Sequence, residues 1–220
     1  MEQTNNGPED LVTFATENGV LKGYFNRPLT VTTPPMVTSF PKLTQADLTK
    51  DQERGINSQD FNLDLTMTGA TVSQLGFKAL MDKYDDMLLD YVFDNQGVLG
   101  KKGMTRDQVS FMQKRQFKTR INYKTNKQWP DAMAARTKGL RESTRMLVFD
   151  ASQGQYLPDV VSGDIVSVVL LYLGPYSKPN NFFGNSWQLI GVQRLGHLER
   201  AETVDVESQF QSFPTEAFPR

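Results

Sequence analysis

Residues 61–97 read FNLDLTMTGATVSQLGFKALMDKYDDMLLDYVFDNQG, and two hydrophobic periods meet in them. Phe61, Leu63, Leu65 and Met67 alternate with Asn62, Asp64 and Thr66, the period of two expected of a strand with one buried face. Thr71 with Gln74 three residues on resembles a capping box. Leu80, Met81, Tyr84, Leu88, Tyr91 and Val92 then recur at helical spacing as far as Gly97. One strand running into one long helix anchors the reading, and what lies on either side is mostly β-like.

Upstream, Gly23 to Val37 is rich in Thr and Val and reads as an edge strand, interrupted by Pro34-Pro35. Residues 1–19 are polar and are expected to form a flexible N-terminal segment, and Lys42 to Gln59 suits a surface loop. Downstream, a second box from Thr105 to Gln108 opens a short helix carrying Val109 and Met112. Phe117, Thr119, Ile121 and Tyr123 then alternate with Lys118, Arg120, Asn122 and Lys124, giving a strand with one apolar and one basic face. Residues 125–143 show no clean period and read as a long basic loop, with helical turns possible around Ala132. Strands follow at Met146–Phe149, after Gly163-Asp164 over Ile165–Leu173, and at Trp187–Leu195 beyond a Pro/Asn/Gly-rich connection. Short strands, Gly-rich turns and one helix between strands are the order expected of a mainly β OB-fold, a five- to six-stranded Greek-key barrel. A β-sandwich is the rival. The expected limits are 20–198 for the barrel domain and 199–220 for a weakly acidic tail containing Phe210, Phe213 and Phe218.

The chain of 220 residues is long enough for one sizeable core, and 38% hydrophobic with 22% charged residues describes a globular protein. With no cysteine and the single histidine His197, the sequence offers no disulfide, no thiol nucleophile and no Cys- or His-pair metal site, and no cofactor is expected. The N-terminus is polar and acidic, and no apolar run approaches the ~18 residues of a membrane span, so no membrane partner and a cytoplasmic location are expected.

The net charge of −1 conceals a strong asymmetry. Residues 101–145 hold 13 Lys or Arg against three acids, a local excess of +10 that the remainder cancels with −11. A segregated basic segment creates a positive field able to hold an anionic polymer whatever the total charge. Phe117, Tyr123 and Trp129 are interleaved with Lys114, Arg115, Lys118, Arg120, Lys124, Lys127, Arg136, Lys138 and Arg141. Cations that neutralise phosphates beside rings that stack bases are the signature of single-strand binding without sequence readout. Phe117 and Tyr123 share a strand face with Ile121 and could instead fill the core, which leaves Trp129 as the better stacking candidate.

Catalytic readings find less support. Gly97 to Gly103 lacks the spacing of a phosphate loop. Asp85 and Asp86 are adjacent on a helix, point apart, and read as a solvated face rather than a metal pair, and no Ser, Cys or acid arrangement is recognisable around His197. A nuclease would need a ligand set that is not evident, whereas a viral structural or scaffolding protein with a genome-contacting basic loop is a serious alternative.

From Phe61 onward the order FNLDLTMTG, KALMDKYDDML, FKTRINYKTNK, MLVFDASQGQYL, VSGDIVSVVLLYLGPY and FGNSWQLIGVQRL resembles the OB-fold single-stranded DNA-binding proteins of short-tailed phages that carry their own replisome. The resemblance implies sequence-independent coating of single-stranded DNA in replication and recombination, and contacts with polymerase and primase-helicase through an acidic tail. It also implies a homodimer as an assembly the family often adopts. Carried onto this chain, it gives Lys118, Arg120, Lys124 and Lys127 phosphate roles and Tyr123 and Trp129 stacking roles. The last residues, Phe218-Pro219-Arg220, depart from the acidic run that closes the family pattern.

Overall fold

The computed structural model describes residues 12–42, 61–67, 71–121, 126–137, 148–150, 154–157 and 160–198. Its first strands, β1 (Val12–Glu17) and β2 (Val20–Phe25), form a separate antiparallel hairpin. Asn18 and Gly19 turn it with φ of 51° and 76°, the left-handed pair that a two-residue hairpin turn needs. Residues 12–17 are therefore a paired strand, not a frayed end, and the expected edge strand at 23–37 divides into β2, β3 (Thr30–Thr32) and β4 (Met36–Lys42).

β5 (Phe61–Thr66) pairs antiparallel with β4, and α1 (Val72–Asp94) follows it. Thr71 caps α1 by accepting from the Gln74 amide at 3.3 Å, while the Gln74 side chain donates to the Pro35 carbonyl at 2.7 Å rather than closing the box. A 3₁₀ turn (Gln96–Leu99) leads to α2 (Arg106–Met112), where the Thr105 and Gln108 box is complete. β6 (Phe117–Ile121), β7 (Gln128–Thr137), β8 (Val148–Asp150), β9 (Gln155–Leu157), β10 (Asp164–Ser177) and β11 (Phe183–His197) complete the sheet.

Following the hydrogen bonds from β4 leads through β5, β7, β11 and β10 back to β4, a closed five-stranded barrel. All joints are antiparallel except β7 to β11, where Gln188 faces Arg136 in parallel register. This Greek-key barrel with a helix outside it is the OB-fold. β7 is thus a central barrel strand, where the sequence suggests a long loop with helical turns. Its period is concealed because Ala132, Met133 and Ala135 are all buried and Pro130 interrupts the run.

Met36, Leu63, Leu65, Met133, Val166, Val168, Leu170 and Leu189 fill the barrel, and Phe77, Met81 and Tyr84 of α1 close one side of it. Each large apolar side chain removed from water contributes ~1.5–3 kcal/mol before conformational entropy is subtracted. A second cluster joins Leu88, Leu89 and Val92 of α1 to Leu21, Leu99, Val109 and Phe183, which packs the N-terminal hairpin and α2 onto the helix.

Candidate nucleic-acid interface

β6 pairs with β7 as a ribbon at the edge of the barrel, with Lys118 opposite Ala132, Arg120 opposite Trp129 and Ile121 opposite Gln128. The pairing gathers Lys118, Arg120 and Trp129 on one ribbon, with Lys127 just before β7, and Lys118 and Lys127 are exposed. Tyr123, Lys124, Lys138 and Arg141 lie outside the described residues. Phe117 enters the core beside Phe77, whereas Ile121, expected on the same apolar face, is 63% exposed. A register shift between Lys118 and Arg120 breaks the alternation there.

Beside this ribbon lies the outer face of β4, β5 and β7. Because Leu63, Leu65, Met133 and Ala135 point inward, Ser39, Asn62, Asp64, Thr66, Ala134 and Arg136 alternate with their neighbours toward the outside. The floor so formed is polar and low, built largely from small side chains. In OB-folds the second and third barrel strands, here β5 and β7, and the loop joining the fourth and fifth are the surfaces that take oligonucleotides. Arg136 is exposed at the end of this floor nearest β11.

The fourth-to-fifth loop, residues 178–182, which reads in the sequence as a plain connection, adds further groups. It is closed by hydrogen bonds from the Lys178 amide to Phe182 O at 2.7 Å and from the Asn181 amide to Lys178 O at 2.9 Å. Lys178 Nζ lies 5.8 Å from the Tyr176 ring centre and Lys114 Nζ lies 3.7 Å from that of Phe182. Burial raises the Tyr176 phenol above its ordinary range and Asp85 adds to the rise, while Arg136 opposes it. The available signal was a Lys and a Phe four residues apart in a Pro-Asn-Asn turn between the two longest strands.

Not every cation of the basic segment faces solvent unopposed. Asp82, Asp86 and Asp90 recur every fourth residue along α1. Arg115 pairs with Asp86 and, at 3.8 Å, with Asp82; Arg106 pairs with Asp90. Lys78 bonds Asp82 at 2.5 Å and approaches Asp131 to 4.0 Å. Among the described side chains, the exposed cations around the floor are Lys114, Lys118, Lys127, Arg136 and Lys178.

Asp85 departs most from its sequence reading. It is fully buried, not solvated. Its carboxylate accepts from the Gln116 amide at 2.8 Å and from Asn185 Nδ2 at 2.9 Å, and its carbonyl accepts from the Gln113 side chain. Desolvation nevertheless pushes its pKa up to about 6. His197, in turn, does have an acid beside it: Nδ1 donates to the buried Asp164 at 2.8 Å, and Arg194 Nε donates to the same oxygen at 3.0 Å. These bonds tie the two ends of the β10–β11 hairpin together. Among the described residues no group of three acidic or histidine side chains is placed to hold a metal ion.

This barrel recurs in solved structures. The single-stranded DNA-binding protein gp2.5 encoded by bacteriophage T7 superposes with a TM-score of 0.50 at 12% identity, over 80% of this chain and 97% of that one. The T7 protein has the same fold. The single-stranded DNA-binding protein from bacteriophage Enc34 aligns with a TM-score of 0.46 at 16% identity, over 90% of this chain and 98% of its own. That protein in complex with single-stranded DNA aligns with a TM-score of 0.45 at 15% identity, over 89% and 99% of the two chains. No family model and no curated protein matches the sequence.

Proposed function

We propose that the protein binds single-stranded DNA without sequence specificity, as a coating factor in replication or recombination. The observation supporting this is the arrangement of the floor. Cations border it on two sides, at the β6–β7 ribbon and at the 178–182 loop, where Phe182 adds a ring, and its small side chains leave room for unstacked bases. Phosphates would meet Lys118, Lys127 and Arg136, and bases would stack on Trp129 and Phe182. No step of bond making is required of any residue.

In this reading polymerase and primase-helicase are the partners to test, and the homodimer is the assembly to test. Fluorescence anisotropy of labelled oligo-dT and of the matching duplex, at two salt concentrations, is the deciding experiment. Tight, salt-sensitive preference for the single strand is the expected result. Equal binding of both, or of neither, would sink the proposal and favour a structural protein whose basic ribbon contacts packaged genome.

A further inference from the structure

We propose that Asp85 is a positioning residue of this interface: its buried carboxylate holds residues 113–116 against the start of β11 and thereby fixes Lys114 over Phe182. The proposal rests on the interface reading above for its DNA arm only.

The geometry leaves little freedom. Asn185 is saturated: its Oδ1 accepts from Tyr172 Oη at 2.8 Å, while Nδ2 donates to Tyr84 O at 3.1 Å and to Asp85 at 2.9 Å. Its carbonyl also accepts from the Gln116 side chain at 2.7 Å. With the Asn185 amide so oriented, the group opposite must accept from it, and the Gln116 amide demands a second acceptor on the same side chain. A carboxylate provides both oxygens. Asparagine provides one and turns a donor on the other.

Residues 113–116 are equally constrained by β11. The Lys114 amide donates to Phe183 O at 2.7 Å, and a Cβ on Gly184 would lie 2.7 Å from Lys114 O. A shift at Gln116 is therefore transmitted to Lys114 and to its contact with Phe182. Among the described residues, Asp82 of α1, Arg115 of the connecting segment and Tyr172 and Tyr176 of β10 are the titratable or charged groups that act on this carboxyl, and β11 presents neutral Asn185. Burial raises both β10 phenols above their ordinary range, so they stay protonated in the working window.

The test measures oligo-dT affinity between about pH 5 and 8 at constant ionic strength. Asp85→Asn, Phe182→Ala and the double variant are compared in a His197→Asn background, which leaves the chain without histidine. Loss of one stacked base weakens binding about tenfold in Phe182→Ala. Asp85→Asn should lose a comparable factor, the double variant should lose little more than either single one, and the background protein should weaken on acidification through about 6. Wild-type affinity in a folded Asp85→Asn, or single losses that multiply, would overturn the proposal. If Asp85→Asn does not fold, the pH profile decides, and affinity that stays level or rises on acidification refutes it. A protein that ignores oligo-dT refutes the single-strand reading instead. The protection factor of the Gln116 amide against hydrogen exchange then tests the positioning alone: it should fall when Asp85 is protonated, and constancy would refute the role.

Discussion

Replacing Lys118 and Arg136 together by alanine should flatten the salt dependence of single-strand binding by a calculable amount. Among the described side chains, five exposed cations border the floor: Lys114, Lys118, Lys127, Arg136 and Lys178. If each neutralises one phosphate, the slope of log affinity against log salt is about −0.7 per contact, or about −3.5 in total. Affinity then falls roughly 100-fold between about 50 and about 200 mM salt. Without Lys118 and Arg136 the slope becomes about −2.1, and the same interval costs only about 20-fold. Arg106→Ala is the control, because that guanidinium is engaged by Asp90 and should leave the slope unchanged. Anisotropy titrations of labelled oligo-dT at four or more salt concentrations measure all three slopes. A double variant with the wild-type slope, or a wild-type slope near zero, would refute the assignment of these cations to phosphates.

Trp129→Ala and Phe182→Ala should each weaken oligo-dT binding by ~1–3 kcal/mol with little change of slope, since stacking releases no counterions; a changed slope in either would contradict the stacking role. Stability should respond to pH through Asp85, whose folded pKa of about 6 lies above its ordinary 3.8. The folded state is favoured by this group fully below 3.8, and the advantage disappears as pH rises through about 6, amounting to at most ~3 kcal/mol. Urea midpoints of wild type should therefore decline relative to Asp85→Asn across that window, and parallel curves would count against the burial argument. Gly184→Ala should destabilise by ~1–3 kcal/mol, because its Cβ would press on the Lys114 carbonyl at 2.7 Å; a cost under about 0.5 kcal/mol by chemical denaturation would show that the segment yields.

What could be read in advance follows from which physical signals are local. β5, α1, α2, β10 and β11 announce themselves through period and caps, because their buried faces are continuous along the chain. β7 is buried by its neighbours rather than by its own pattern, so its small residues show no alternation. The N-terminal hairpin carries its own local signal, the Asn18-Gly19 pair of a two-residue turn. At the candidate interface, sequence proximity alone groups the cations of the β6–β7 ribbon, but only the fold brings Lys114 to Phe182 or sets Arg115 against Asp82 and Asp86. Asp85 reads as solvated beside Asp86, which does face outward, yet position 85, four residues from both Met81 and Leu89, lies on the buried stripe.

The parallel joint between β7 and β11 has a consequence for the order of assembly. β10 and β11 are neighbours in the chain and zip over almost their whole length, whereas the barrel closes through Gln188 and Arg136, some fifty residues apart, and through Ile165 and Val37, more than a hundred apart. Loop-closure entropy opposes the distant contacts most, so the long hairpin should form early and the two closing seams late. The parallel seam borders the floor on which a nucleic acid would lie. A bound strand would therefore splice one of the late joints of the barrel from outside, and binding would in turn favour the closed barrel.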